Sequence, residues 1–209
     1  MSEKRMNKTT EGLQQSGFSL IEVLFGMLIL AIGILGMVSM QINSKRIGHD
    51  ALQRSIATNL AQDMIERMRI NRTELGSYVG ASGISSGAIT LGGAAIATSK
   101  PSSDCTISTC TPAELAAYDL WEWERSMRGA GEISAEGNLV GGLVNPTACI
   151  THNRGLITLA VAWDAFQSLG NPFEPAQCGV GLGLYGDDDE ERQVVYFTTL
   201  IFPGLYPTE

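Results

Sequence analysis

The chain has 209 residues, a formal net charge of −8 and four cysteines. That length suffices for one compact domain plus an appendage. The acidic balance excludes a function dominated by nucleic acid, because neutralising phosphates takes clustered Lys and Arg.

Residues 1–17 carry Lys4, Arg5 and Lys8 against Glu3 and Glu11. From Phe18 to Ile42 the one formal charge is Glu22, and Val23 to Met40 holds nothing more polar than Ser39, a run of membrane-spanning length. A conventional secretory signal places small residues behind its apolar core, where the peptidase cuts. Here Met37 to Asn43 reads MVSMQIN, and the small residue instead stands ahead of the run, at Gly17. The basic residues before the run keep a leader cytoplasmic and send the head across, a contrast that Lys45 and Arg46 weaken. A lone carboxylate inside a spanning helix is costly, so Glu22 marks a functional site. The bland alternative is a carboxylate that merely reaches the headgroup region.

Gly17-Phe18-Ser19-Leu20-Ile21-Glu22 resembles the type IV prepilin processing motif. The resemblance implies that a membrane aspartyl peptidase cuts between Gly17 and Phe18. It also implies that the same enzyme N-methylates Phe18, and that Glu22 pairs with the N-terminal amine of a neighbouring subunit during assembly. The physical reading agrees. Phe18 and Glu22 are four residues apart and share a helix face, and a helix N-terminus favours negative charge in its first turns.

The helical pattern continues past the apolar run. Leu52, Ile56, Leu60, Met64 and Met68 recur every four residues, joined by Ala57, Ala61 and Ile65. With Arg54, Asp63, Glu66, Arg67 and Arg69 on the remaining surface, this predicts an amphipathic helix to about Arg72. Gly26, Gly33 and Gly36 interrupt the apolar half without the strict G-x-x-x-G spacing, allowing close helix approach or local melting. Major pilins often have a proline near the position of Ser39, and its absence fits a minor pilin.

Asn71 to Pro101 reads as loops around one or two weak strands, such as Ala88 to Ile96. Gly83-Ile84-Ser85-Ser86-Gly87 formally matches a hydrolase nucleophile elbow, but that needs a strand before it and a helix after it. The four cysteines allow three full pairings. Sequence proximity favours Cys105–Cys110 and Cys149–Cys178, implying an oxidising compartment. Zinc is the rival, on the loose Cys105-x4-Cys110 spacing, but no second compact pair accompanies it.

Thr111-Pro112-Ala113-Glu114 is a helix start: Thr caps, Pro suits the first turn and Glu completes the capping box. Ala116, Leu120, Trp123 and Met127 form one face, and Gly129 marks the end. Trp121 and Trp123 cannot both point fully inward. The stretch from Cys110 to Leu120 resembles minor pilins of the type IV pilus modification protein V (PilV) kind. A looser likeness continues through Gly142, Ala148-Cys149-Ile150 and Leu156 to Trp163.

Leu156 to Trp163 alternates Ile157, Leu159, Val161 and Trp163 on one face, a strand. Gln193 to Phe202 is another, rich in β-branched and aromatic residues. Asn153-Arg154-Gly155 predicts a hairpin turn. Asp187-Asp188-Asp189-Glu190-Glu191 offers hard oxygen ligands for calcium but lacks EF-hand spacing, so a solvated turn is the plainer reading.

The fold expected is α+β: a long N-terminal helix, with a membrane half and an amphipathic half, packed on an antiparallel sheet with a short extra helix. Its parts are a leader at 1–17, a transmembrane and assembly half at 18–42, an amphipathic half at 43–72 and an extracytoplasmic head at 73–209. With His49 and His152 the only histidines, no ligand cluster and no triad in context, no enzyme activity and no cofactor are expected. The resemblance implies a single-pass protein of the bacterial inner membrane, head in the periplasm, moving to the pilus on assembly. Its implied partners are minor and major pilins, prepilin peptidase and the assembly platform. A minor pseudopilin of type II secretion is the alternative, since it shares the N-terminal machinery.

Overall fold

A computed structural model describes residues 17, 19–93, 98–137, 139–168, 170–175 and 177–202. The leader to residue 16 and the expected processing residue Phe18 lie outside the described residues. Two compact units emerge, Met1–Lys45 and Arg46–Glu209.

One helix, α1 (Leu20–Ile70), enters both units. In the N-terminal unit its apolar side chains face outward: Leu24, Phe25, Ile29, Leu30, Ile32 and Leu35 are each more than half exposed. Leu20 to Ile42 would measure about 35 Å, enough to cross a hydrocarbon core.

In the second unit the order is β1 (Gly87–Gly92), α2 (Pro112–Met127), β2 (Glu132–Ile133), β3 (Leu139–Val140), β4 (Thr147–Asn153), β5 (Leu156–Asp164) and β6 (Arg192–Leu200). Short 3-10 turns at Arg72–Glu74 and Ser77–Val79 follow α1. β1, β4, β5 and β6 form one antiparallel sheet in that spatial order, and β2 pairs with β3. The fold is α+β.

The buried face of α1 is Gln53, Ala57, Ala61, Met64, Ile65 and Met68. This corrects the expected stripe at one point: Leu52 is 57% exposed and Gln53 is buried in its place. A strict four-residue repeat advances 400° per step, so it drifts about 40° each time round a helix of 3.6 residues per turn. Over Leu52 to Met68 the drift carries the first member off the face. Gln53 is accommodated because its amide donates to the Gly142 carbonyl at 3.1 Å and accepts from the Val144 amide at 3.2 Å.

Above that face sit Ile150, Ile157, Leu159, Val161 and Trp163 from the sheet and Ala116, Leu120, Trp123 and Met127 from α2. Trp123 is fully buried and its indole N–H donates to the Leu60 carbonyl at 2.8 Å, whereas Trp121 is half-buried, between Lys100 and Arg125. The β4–β5 hairpin turns through Arg154 and Gly155, both at positive φ (51° and 88°). That is the mirror-image turn whose twist matches a strand pair, and glycine serves it well.

The Thr111 capping box is formed in full, with the Glu114 amide bonded to Thr111 and the Thr111 amide bonded to Glu114. Bonds from the Ser103 hydroxyl, then from the Thr111 amide and hydroxyl, hold the Glu114 carboxyl at about 2 instead of the usual 4.5. A depressed carboxylate contributes above its unfolded pKa and loses that contribution as pH falls through the folded one. Protection of the amides of residues 113–116 against exchange, relative to the unfolded chain, should therefore fall from about pH 4.5 down to 2. Glu114→Gln should remove that acid step. An unchanged profile would contradict the cap's role.

Candidate functional site

Helix α1 begins within the stretch that resembles a processing motif. Gly17 is exposed, and the Ser19 carbonyl accepts the amides of Glu22 (3.0 Å) and Val23 (3.3 Å), opening the helix. Glu22 thus lies in the first turn, where unpaired amide groups and the helix dipole favour a carboxylate. Around it the helix surface dips, bounded by Val23, Gly26, Met27 and Leu30. At 100° per residue Gly26 and Gly33 fall within about 40° of Glu22, on one face. A Cβ at either glycine would touch nothing, and α1 runs unbroken through both. One face of the spanning segment therefore combines its single acid with its least bulky surface.

The head carries other polar constellations, and each is saturated by its own neighbours. Arg67 bridges Asp63 (2.9 Å), Asp119 (3.0 Å) and Glu122 (2.7 Å). Burial alone would lower its pKa, but these carboxylates outweigh it and hold the guanidinium charged. Asp119 also accepts the Tyr78 hydroxyl at 2.6 Å, and burial followed by that bond pushes the phenol up. The cluster fastens α2 to α1.

On the sheet's other face, Cys149 and Cys178 pack on Ala160. Arg192 is buried there: its Nε donates to Asn171 (2.9 Å), Nη1 to the Cys178 carbonyl (2.9 Å) and to Glu174 (3.4 Å), and Nη2 to the Pro172 carbonyl. Cys105 is bonded to Cys110 and Cys149 to Cys178. The sequence alone places Arg67 on the outer surface of the amphipathic helix and gives Arg192, directly after the acidic run, no role.

The remaining candidates resolve structurally. Gly83 to Gly87 follows a turn and runs into strand β1, which starts at Gly87, the reverse of a nucleophile elbow. His152 is buried, with Nδ1 on the Ser85 carbonyl at 2.9 Å and Nε2 accepting the Gly155 amide at 2.9 Å, so backbone occupies both nitrogens. His49 packs edge-on against Phe166 at 4.9 Å. In the acidic loop, Asp189 is buried and accepts the Gly181 amide, while Glu190 accepts the Asp188 amide. Among the described residues no group of three or more His, Cys, Asp or Glu is placed to hold a metal.

Two family models match adjoining stretches. The prokaryotic N-terminal methylation motif covers residues 13–38, and a model described as type IV pilin Tt1218 covers residues 39–121. The chain belongs to the type IV pilin-like family. No curated protein and no solved structure matches it. As a type IV pilin with a methylation motif, it is a substrate of prepilin peptidase. Its apolar helix anchors it in the inner membrane before it joins other pilus components. The helix surface that reads as uncomfortably apolar for a soluble protein is what a pilin exchanges between lipid and its neighbours.

Proposed function

We propose that this pilin is a minor subunit of the PilV type, acting in pilus assembly or initiation and so supporting pilus-dependent motility or adhesion. Glu22 carries the reading: a single carboxylate at the start of an otherwise apolar spanning stretch, the fifth residue after the cleavage bond. The minor assignment draws on the likeness of Cys110 to Leu120 and on the missing proline near Ser39. The working division is leader 1–17, spanning and assembly half 18–42, amphipathic half 43–72 and head 73–209. Cleavage falls between Gly17 and Phe18, methylation on the Phe18 amine, and assembly pairing on Glu22. The protein acts by position and contact, with no reaction of its own.

Gly17→Val tests the processing step. The peptidase must draw an extended chain close at this bond, and a β-branched side chain obstructs that approach. The variant is expected to stay at precursor size on immunoblots of membranes. A mature-sized product would remove the cleavage assignment. Deletion of the gene separates pilus from secretion roles: lost piliation and twitching support the minor pilin, whereas exoproteins held in the periplasm support a type II secretion pseudopilin.

A further inference from the structure

The head's sheet ends on β6, whose outer side has no paired strand among the described residues. The register identifies the groups left over. Ala165 donates to the Glu191 carbonyl and Ile201 to the Gly155 carbonyl. In the alternating antiparallel pattern Gln193, Val195, Phe197 and Thr199 therefore bond to β5, while Arg192, Val194, Tyr196, Thr198 and Leu200 aim their N–H and C=O groups outward. The Arg192 amide turns back to the Asp189 carbonyl. Among the described residues, the outward groups of Val194, Tyr196, Thr198 and Leu200 have no partner.

Edges that remain single are usually blunted by charges, proline or bulges. From Gln193 to Phe202 the chain reads QVVYFTTLIF, with no charged residue, proline or glycine, and β6 follows β5 without a bulge from Arg192 to Leu200. Beside the edge runs a groove of about 430 Å³ between β6 and α1, floored by Ile65 and Phe197 and rimmed by Glu66, Arg69 and Thr198.

We infer that this edge receives an extended segment of a neighbouring pilin subunit, added to β6 as a further strand. The unpaired groups repeat every second residue along an extended line, a spacing met by another extended backbone and by neither a helix nor a lipid headgroup. The groove accepts one apolar side chain of that segment on Phe197 and Ile65, and the rim offers both charge signs to its flanks. The neighbour is a pilin because a pilin's assembled surroundings are other pilin subunits. The inference rests on the assembly reading above and locates one of its contacts.

Thr198→Pro tests it in the full-length chain. Among the described residues the Thr198 amide has no partner, so proline costs that part of the fold little but removes an outward donor and obstructs an incoming strand. The variant should be processed, disulfide-bonded and as protease-resistant as the parent, yet its recovery in sheared pili should fall about tenfold. Thr198→Val, which keeps the amide, should be recovered normally. As a second measurement, the Val194, Tyr196 and Thr198 amides should exchange freely in the detergent-solubilised protein and slowly in pili. Wild-type recovery of Thr198→Pro would overturn the edge contact. So would protection already present in detergent, which would assign the edge to the chain's own C-terminal residues, or free exchange in both states. A wild-type chain that never enters pili would sink the assembly reading instead.

Discussion

Glu22→Ala is expected to insert and be cut after Gly17 as normal, and to disappear almost entirely from sheared pili. The substitution makes the membrane-bound state more comfortable, because a lone carboxylate in a spanning helix is costly even in its first turn, though less so than the about 2.5–3.5 kcal/mol of the helix centre. In the filament the effect reverses. The amine of an adjacent subunit loses its counter-charge in a medium without water, and breaking one side of a buried pair costs about 3–5 kcal/mol. Both terms favour the membrane, so recovery in pili should fall by at least about a hundredfold. Glu22→Gln keeps the shape and a hydrogen-bonding group, and should fall in between. Immunoblots of sheared pili against membranes read the ratio, and normal incorporation of the alanine variant would contradict the pairing mechanism.

Arg192→Ala is the largest expected loss of head stability. One guanidinium serves Asn171, Pro172, Glu174 and Cys178 at once, and both it and Glu174 are buried. Removing it takes the neighbouring cation from the buried Glu174 carboxylate, which keeps the Cys178 amide, and takes a donor from two carbonyls, for a loss of about 3–5 kcal/mol. That should lower Tm by roughly 10 °C in a domain of this size. Lysine's three donors sit on one nitrogen and cannot span acceptors spread over Nε, Nη1 and Nη2, so Arg192→Lys should recover only part of the loss. The Cys149–Cys178 bond persists in both variants and keeps the loosened segment tethered. A thermal midpoint unchanged in Arg192→Ala would show that the cluster is not what holds that segment.

Elements governed by local chemistry were legible in the sequence. The spanning run, the Thr111 capping box, the Arg154-Gly155 turn and the alternation from Ile157 to Trp163 each depend on neighbours within a few positions. The structure places each where its spacing indicated. Leu52 was misread because a four-residue repeat looks like a face over two turns and departs from it over four. The polar clamps were not legible. Arg67 meets Asp119 across 52 positions, and Gln53 meets Gly142 across 89. No local pattern distinguishes a buried partnered arginine from a solvated one. The open edge of β6 was equally hidden, since it follows from strand order and register and from nothing in the strand's own composition.

All of this depends on a chain that loses its leader and offers a fresh cation one helical turn ahead of Glu22. Intact-mass and N-terminal fragment analysis of the protein from cell membranes tests that directly. The expected species begins at Phe18 and carries one methyl group on its amine. A chain that still begins at Met1 in cells with active prepilin peptidase would contradict it.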